Sequence, residues 1–263
     1  MVVAENAMSM IARFFTANRR ACGAIEKWLP TEFKLHLRTL HRRQVAELVN
    51  ARPGCVVLDV GAGRESTFLP LIANRAEHLI LGMDVSEAEV QHNRQGLARL
   101  VADAAAARLP LRDGSIDVIA SHSVVEHLPD NARFFANCAQ VLRSGGVLVH
   151  TFPCRYAPFA LLNQLVPNWL ARRLLASFHP HWRQAAVGFP TFYDHCTFAQ
   201  IEALLRRDGL QWKTHVFHYY QAIYFDFFLP LYLMMLLYDL IMWRLKIRNL
   251  ACGMMMVAEK KSS

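Results

Sequence analysis

Residues 56–63 read Val56-Val57-Leu58-Asp59-Val60-Gly61-Ala62-Gly63, and this stretch decides the fold. A short apolar run leads into an aspartate and then into two glycines separated by one residue. An apolar run closed by a glycine turn reads as a buried strand ending in a tight loop. Glycine adopts backbone angles closed to other residues and lets a ligand approach the main chain. In an open α/β sheet such a turn lies at the carboxyl ends of the strands, where ligands bind.

The glycines alone do not identify the ligand. A dinucleotide fingerprint needs a third glycine where this chain has Ser66, and no Gly-Lys-Ser/Thr follows to make a phosphate loop. Working outward adds carboxylates. A second apolar run, His78 to Met83, ends in Asp84. That is about twenty residues on, where a ribose-binding carboxylate is expected. A third run, Leu97 to Ala102, ends in Asp103. Three successive strand ends therefore carry carboxylates beside one glycine turn.

Further segments follow in a fixed order. They are Gly82-Met83-Asp84-Val85-Ser86, Ala102-Asp103-Ala104, and the run Leu109 to Ile119 containing Leu109-Pro110-Leu111-Arg112-Asp113-Gly114. Val125-Glu126-His127-Leu128-Pro129-Asp130 and Leu142-Arg143-Ser144-Gly145-Gly146 complete the series. With these segments the chain resembles the class I S-adenosylmethionine-dependent methyltransferases, and most closely their type 11 branch, which includes quinone-biosynthesis enzymes. The resemblance covers residues 50–152. It implies a seven-stranded Rossmann-like α/β sheet, parallel with an antiparallel last strand and with helices on both faces. It also implies S-adenosyl-L-methionine as the cofactor. The contacts it implies are Asp59, Gly61, Ala62, Gly63, Asp84, Val85, Asp103, Ala104 and Ser121. Arg64-Glu65-Ser66 stands where the family often has another glycine, which bears on the shape of the methionine pocket.

The chain has 263 residues, 54% of them hydrophobic, and a formal net charge of +8. The length suits one α/β domain with insertions. A basic and greasy composition points to an anionic membrane surface. Nucleic acid ranks below it, since no zinc-finger spacing or basic-leucine heptad is present. The six cysteines form no C-x-x-C pair, which fits a reduced cytosolic setting. No secretory signal is read, because Arg13 interrupts the early apolar stretch.

Residues 1–50 read as N-terminal helices and residues 51–263 as the methyltransferase domain. A first helix over 6–28 sets Met8, Ile11, Phe14 and Phe15 against Arg13, Arg19 and Arg20. It either packs on its own domain or lies on a membrane surface. A second helix opens at Pro30-Thr31-Glu32, with Thr31 as its cap, and runs to Asn50. Strands are expected near 55–60, 79–84, 98–102, 116–121, 146–152, 211–219 and 250–258. Helices are expected near 65–74, 86–95, 130–143 and 197–208.

Two insertions stand out. Residues 154–196 leave the carboxyl end of the fifth strand, so they start on the ligand side of the sheet and read as a lid. They carry a basic patch at Arg172 and Arg173, and His179, His181, Tyr193, Asp194, His195 and Cys196, whose spacing matches no zinc pattern, so no metal is expected. Residues 222–247 include Phe227 to Tyr238, a stretch without a charge. A bilayer span wants about twenty apolar residues. The strands on either side belong to one sheet, so this segment is expected to lie along a membrane surface. Leu233 and Leu236 would meet lipid, with Arg244, Lys246 and Arg248 at the head groups. A helix buried in a homodimer is the alternative.

Ser121-His122-Ser123-Val124-Val125-Glu126-His127 follows the fourth strand. His127 or His122 is read as a general base, since imidazole titrates near working pH, and Glu126 as its orienting partner. Tyr193 and His195 in the lid are candidate acceptor contacts. The leading expectation is methyl transfer to an apolar, lipid or lipid-linked acceptor. It places the protein in the cytoplasm, peripherally attached to the inner membrane face. A methyltransferase for a soluble metabolite with dimerising insertions is second. A nicotinamide-dependent reductase and a non-catalytic membrane adaptor rank lower.

Overall fold

The computed structural model describes residues 2–166 and 190–261, with side chains in the first helix given for residue 10 and from residue 12 onward. Arg172, Arg173, His179, His181 and the side chains of Met8 and Ile11 lie outside the described residues.

Seven strands form one sheet: β1 (Val56–Val60), β2 (Leu79–Asp84), β3 (Ala98–Val101), β4 (Ile116–His122), β5 (Leu142–Pro153), β6 (Leu210–His218) and β7 (Gly253–Lys260). Their order is β3-β2-β1-β4-β5-β7-β6. β1 pairs parallel with β2 and β4, β2 with β3, and β4 with β5. β7 runs antiparallel to both β5 and β6. The mixed sheet is the one the sequence implies. Strand order reverses between β1 and β4, which opens a crevice at their carboxyl ends.

Among the described residues the α-helices are α1 (Val2–Glu26), α2 (Leu37–Asn50), α3 (Glu87–His92), α4 (Asn131–Val141), α5 (Pro158–Leu165), α6 (Phe198–Arg207) and α7 (Leu229–Leu245). Val57, Val118, Val149 and Val257 point to one face of the sheet and pack with Val45 and Val49 of α2. Leu58, Ile119, Leu148 and Met256 point to the other and pack with Phe134 and Phe135 of α4 and Ile201 of α6. The central strands are covered on both faces, so they read as continuous apolar runs and not as alternation. Each such fully buried side chain contributes about 1.5–3 kcal/mol.

Two expected helices differ. Residues 65–74 form turns and a single 3-10 turn at Leu69–Leu71. Pro70 lacks an N–H, and Ser66 makes side-chain bonds in place of helical ones. Its main-chain N–H donates to Gln95 Oε1 at 2.6 Å, and its hydroxyl donates to Asp59. α2 begins at Leu37, not after Pro30, and Thr31 caps nothing. Residues 31–34 instead form a turn that places Phe33, 1% exposed, between the rings of Tyr220 and Trp243. Tertiary packing overrides the local helix signal there.

The second insertion is a helix fastened to the sheet domain. The Asp239 carboxylate of α7 accepts the N–H groups of Gln221 (2.8 Å) and Ala222 (2.7 Å) and the Gln221 side-chain amide (3.1 Å). Tyr232, Met235 and Leu236 face the core. Leu233, Met234, Leu237 and Ile241 face outward, at 45, 59, 61 and 43% exposure. Leu236 therefore cannot meet lipid, contrary to the sequence reading. No described helix is long and apolar enough to cross a membrane. α1 lies against α7: Asn18 Oδ1 accepts the Leu229 N–H at 2.8 Å, and Arg19 pairs with Asp226 at 3.4 Å. α1 thus packs on its own domain, with Phe14 left half exposed.

Candidate active site

The glycine turn is shaped by its neighbours. Gly61 and Gly63 have φ of +71° and +49°, the left-handed region that other residues enter at a cost. A Cβ on Gly61 would lie 2.3 Å from Val124 Cγ2, so the segment after β4 closes on the turn. A Cβ on Gly63 would make only ordinary contacts, at 4.0 Å from Asp84 Oδ2 and the Gly61 carbonyl. The N–H groups of Gly61 and Ala62 both donate to the Met83 carbonyl, at 2.7 and 3.1 Å, which bends the turn over the end of β2.

Asp84 ties this end together. Its Oδ2 accepts the Gly63 N–H at 3.1 Å and its Oδ1 accepts the Ser86 N–H at 2.9 Å. Each oxygen keeps a second acceptor site for a ligand hydroxyl. Ser86 caps α3 independently by accepting the Glu89 N–H. Val85 presents an apolar side chain, 57% exposed, next to it. Asp103 is exposed, and its Oδ1 accepts the Ala105 N–H at 2.8 Å. The Ala104 carbonyl accepts from Asn137 at 3.1 Å. Because β3, β2 and β1 are neighbours, these groups line adjacent strand ends.

Two residues assigned to the cofactor sit differently. Asp59 is 6% exposed, with its carboxyl bonded to the Ser66 hydroxyl. Burial raises it to about 7, and the Asp84 charge adds to the rise. It braces the turn from beneath. Ser121 is fully buried, its hydroxyl hydrogen-bonded to His150 Nδ1 at 2.6 Å. Its side chain faces the core, since alternate residues of β4 point to opposite faces.

A cleft of about 470 Å³ opens beyond the glycine turn, at the carboxyl ends of β4, β5 and β6. Phe152, Phe159 and Tyr224 supply its apolar wall, and Asn163, Thr191 and Tyr193 its lid side. The described ends of the first insertion therefore border this cleft. Tyr193 is buried, and its N–H donates to the Glu126 carbonyl at 3.1 Å. His195 does not line the cleft. Its Nδ1 meets Asp194 Oδ1 at 2.7 Å, and Asp194 in turn accepts the Asn131 N–H, so the histidine serves the loop and not the acceptor. Ser123 and Tyr193 have φ of +56° and +51°. Such strained backbone gathers at functional sites. Another concavity, of about 530 Å³, lies by the amino-terminal ends of β2 and β3, away from these carboxylates.

Three titratable groups face the cleft from the segment after β4 and its end. His122 is hydrogen-bonded to Thr151 Oγ1 and packs on the His41 ring at 5.7 Å. Burial, with Arg38 nearby, lowers it to about 4, so it is neutral and a poor base. His127 donates from Nδ1 to the Pro190 carbonyl at 2.9 Å, which makes Nε2 its basic nitrogen. Burial lowers its pKa as well. Glu126 is 4% exposed, and its Oε2 has no hydrogen-bond partner among the described residues. Burial raises it to about 8, so the carboxyl is protonated at neutral pH. Its Oε1 lies 3.9 Å from His127 Nε2.

Arg38 and His36 at the start of α2, and His218 at the end of β6, also line the cleft. Sequence reading missed them. His218 ends a strand and was open to the same argument as Asp84, whereas Arg38 comes to the cleft only through the turn at Phe33.

The family model described as a methyltransferase domain matches residues 58–150. A probable S-adenosylmethionine-dependent methyltransferase of Mycolicibacterium smegmatis is 39% identical over 116 residues, covering 44% of each chain. An uncharacterized methyltransferase of a Mycobacterium species is 36% identical over 166 residues, covering 61% of each. The chain thus spans under two thirds of these relatives' lengths. Among solved structures, a putative sarcosine dimethylglycine methyltransferase from Galdieria sulphuraria superposes with a TM-score of 0.53 at 16% identity, covering 86% of this chain and 85% of that one. That likeness concerns the fold. The glycine turn, the strand-end aspartates and the matched segment agree: residues 58–150 match the methyltransferase domain family, and relatives aligned there are probable S-adenosylmethionine-dependent methyltransferases.

Proposed function

We propose that the protein methylates an apolar, lipid or lipid-linked acceptor that it takes from the surface of a membrane. The observation that carries this reading is the position of the cleft. It adjoins the glycine turn at Ser123 and Val124, and two of the elements that line it, α5 and the Ala222–Phe225 turn that leads into α7, carry exposed apolar side chains on themselves or on the helix that follows. Leu162 and Leu165 of α5 are 48 and 81% exposed, and Phe228 and Leu237 are 42 and 61% exposed. An apolar surface of this kind beside an apolar cleft suits a ligand that leaves a bilayer without crossing water.

Asp84 and the exposed main chain of Gly61 and Gly63 hold the cofactor's ribose and methionine ends. S-adenosylmethionine supplies a sulfonium-activated methyl group. The chain's own task is to set the acceptor atom in line with it and to exclude water, and such alignment lowers the barrier substantially. Where the acceptor is a hydroxyl, its proton passes to His127 Nε2, with the Pro190 carbonyl on Nδ1 at 2.9 Å to orient the ring. His122 is held neutral by burial and shapes the wall.

The test is an assay with methyl-labelled S-adenosylmethionine and fractionated membrane lipids. Label recovered in an organic-phase product supports the reading. Label only in aqueous metabolites favours a water-soluble acceptor, with the α7 face covered by a second copy of the chain.

A further inference from the structure

The first turn of α2 forms one wall of the acceptor cleft. Leu35, His36, Leu37 and Arg38 all line it. The N–H groups of Thr39 and Leu40 are spent on the His36 carbonyl, while those of Leu37 and Arg38 make no such bond, and no side chain caps the helix. Orphan amides at a helix start carry the positive end of the helix dipole. The Arg38 side chain adds a full charge, and it has no hydrogen bond or ion pair among the described residues. The field it exerts reaches His122, whose proton affinity it lowers.

The rest of the cleft lining is short of charge that would answer Arg38. Glu126 is the one carboxyl among the described lining residues. It is 4% exposed, and its Oε2 is unpartnered, so a buried polar atom with no satisfier is aimed into the same space. An unsatisfied buried polar group in a native protein calls for a missing partner. The cleft therefore has a cationic mouth with helix amides, aromatic walls at Phe159 and Tyr224, and a hydrogen-bonding group at its floor.

We propose that the acceptor is an amphiphile bearing a carboxylate or phosphate, which Arg38 and the Leu37 and Arg38 amides hold at the mouth, while its apolar body fills the cleft and its reacting polar atom meets Glu126. This rests on the reading of the cleft as an acceptor site. The anion orients the ligand, so that the reacting end enters first. Oxyanions at a helix start with an arginine beside it gain charge-assisted hydrogen bonds that a neutral ligand cannot make.

Calorimetry on the full chain saturated with S-adenosylhomocysteine tests this, with octyl phosphate, octanoate and octanol as probes. The phosphate or the carboxylate should bind about tenfold or more tighter than the alcohol. The tighter of the two identifies the anion. Arg38→Ala and Arg38→Gln should both cut that preference several-fold, to what the helix amides alone supply, while leaving the alcohol and S-adenosylhomocysteine unaffected. Equal binding of all three probes, or an anion preference undiminished in both variants, overturns the proposal. Absence of S-adenosylhomocysteine binding would instead strike at the methyltransferase reading, and the probe series run without it still reports on the anion site.

Discussion

Asp84 Oδ2 accepts the main-chain N–H of Gly63 at 3.1 Å, so the second strand-end carboxylate holds the glycine turn of the first. Removing that carboxylate loosens the turn and takes away a ligand acceptor together. Asp84→Ala should weaken binding of S-adenosylhomocysteine by about 1–3 kcal/mol, the cost of leaving polar partners orphaned. An unchanged affinity by calorimetry removes Asp84 from the site.

Gly61 and Val124 make a second test of the same corner. Gly61→Ala sets a methyl group 2.3 Å from Val124 Cγ2 at a φ of +71°, so it should cost about 1–3 kcal/mol in chemical denaturation. Adding Val124→Ala should recover the steric part and leave the part due to backbone angle. A double variant no more stable than Gly61→Ala would mean that Val124 does not close on the turn.

Stability should depend on pH through buried groups of both kinds. Burial holds Glu126 at about 8, above its ordinary value of 4.5. The native state keeps that proton where the unfolded chain has lost it, so this contribution is full below 4.5 and disappears as pH rises through about 8. His41, lowered to about 3 by burial, works in the other direction: its contribution is full above 6.5 and is lost as pH falls toward 3. Each group carries a slope of about 1.4 kcal/mol per pH unit within its window. Relative to the unmodified chain, Glu126→Gln should gain stability from pH 5 to 8 and His41→Leu from pH 6 to 4. Denaturation curves that stay parallel across those ranges contradict the assignments.

The outward face of α7 should bind anionic bilayers. Leu233 and Leu237 expose 45 and 61% of their surface, and Arg244 and Lys246 follow close by. The protein should sediment with anionic liposomes, and salt should release it only in part, since screening touches the charges and not the apolar burial. Leu233→Glu with Leu237→Glu should abolish sedimentation without altering affinity for S-adenosylhomocysteine. If the unmodified chain stays in the supernatant, the membrane claim fails, and a dimer protecting this face takes its place.

Much of this was legible in the sequence, and the exceptions share a cause. Strand positions followed from apolar runs that end in Asp59, Asp84 and Asp103, because buried parallel strands leave a plain hydrophobic signal. Long-range contacts decided the rest. Ser66 was read only as a missing glycine, yet its hydroxyl satisfies Asp59 and helps break the helix expected there. His195 looked like an acceptor contact by its place in the insertion, but Asp194 holds it in the loop. Ser121 ends a strand on the ligand side, and the pleat turned it to His150. Leu236 and Leu233 are indistinguishable in composition, and only the Asp239 anchor shows which side of α7 meets the core. Arg38 gave no signal at all, since its place depends on Phe33 entering the core.

The central claim is that the turn from Gly61 to Gly63, with Asp84, binds S-adenosylmethionine. Calorimetric titration of the full chain with S-adenosylmethionine, S-adenosylhomocysteine and NADH tests it most directly. The account predicts saturable binding of the first two, weakened by Asp84→Ala, and no heat from NADH. Binding of NADH with no response to either sulfur compound would contradict it.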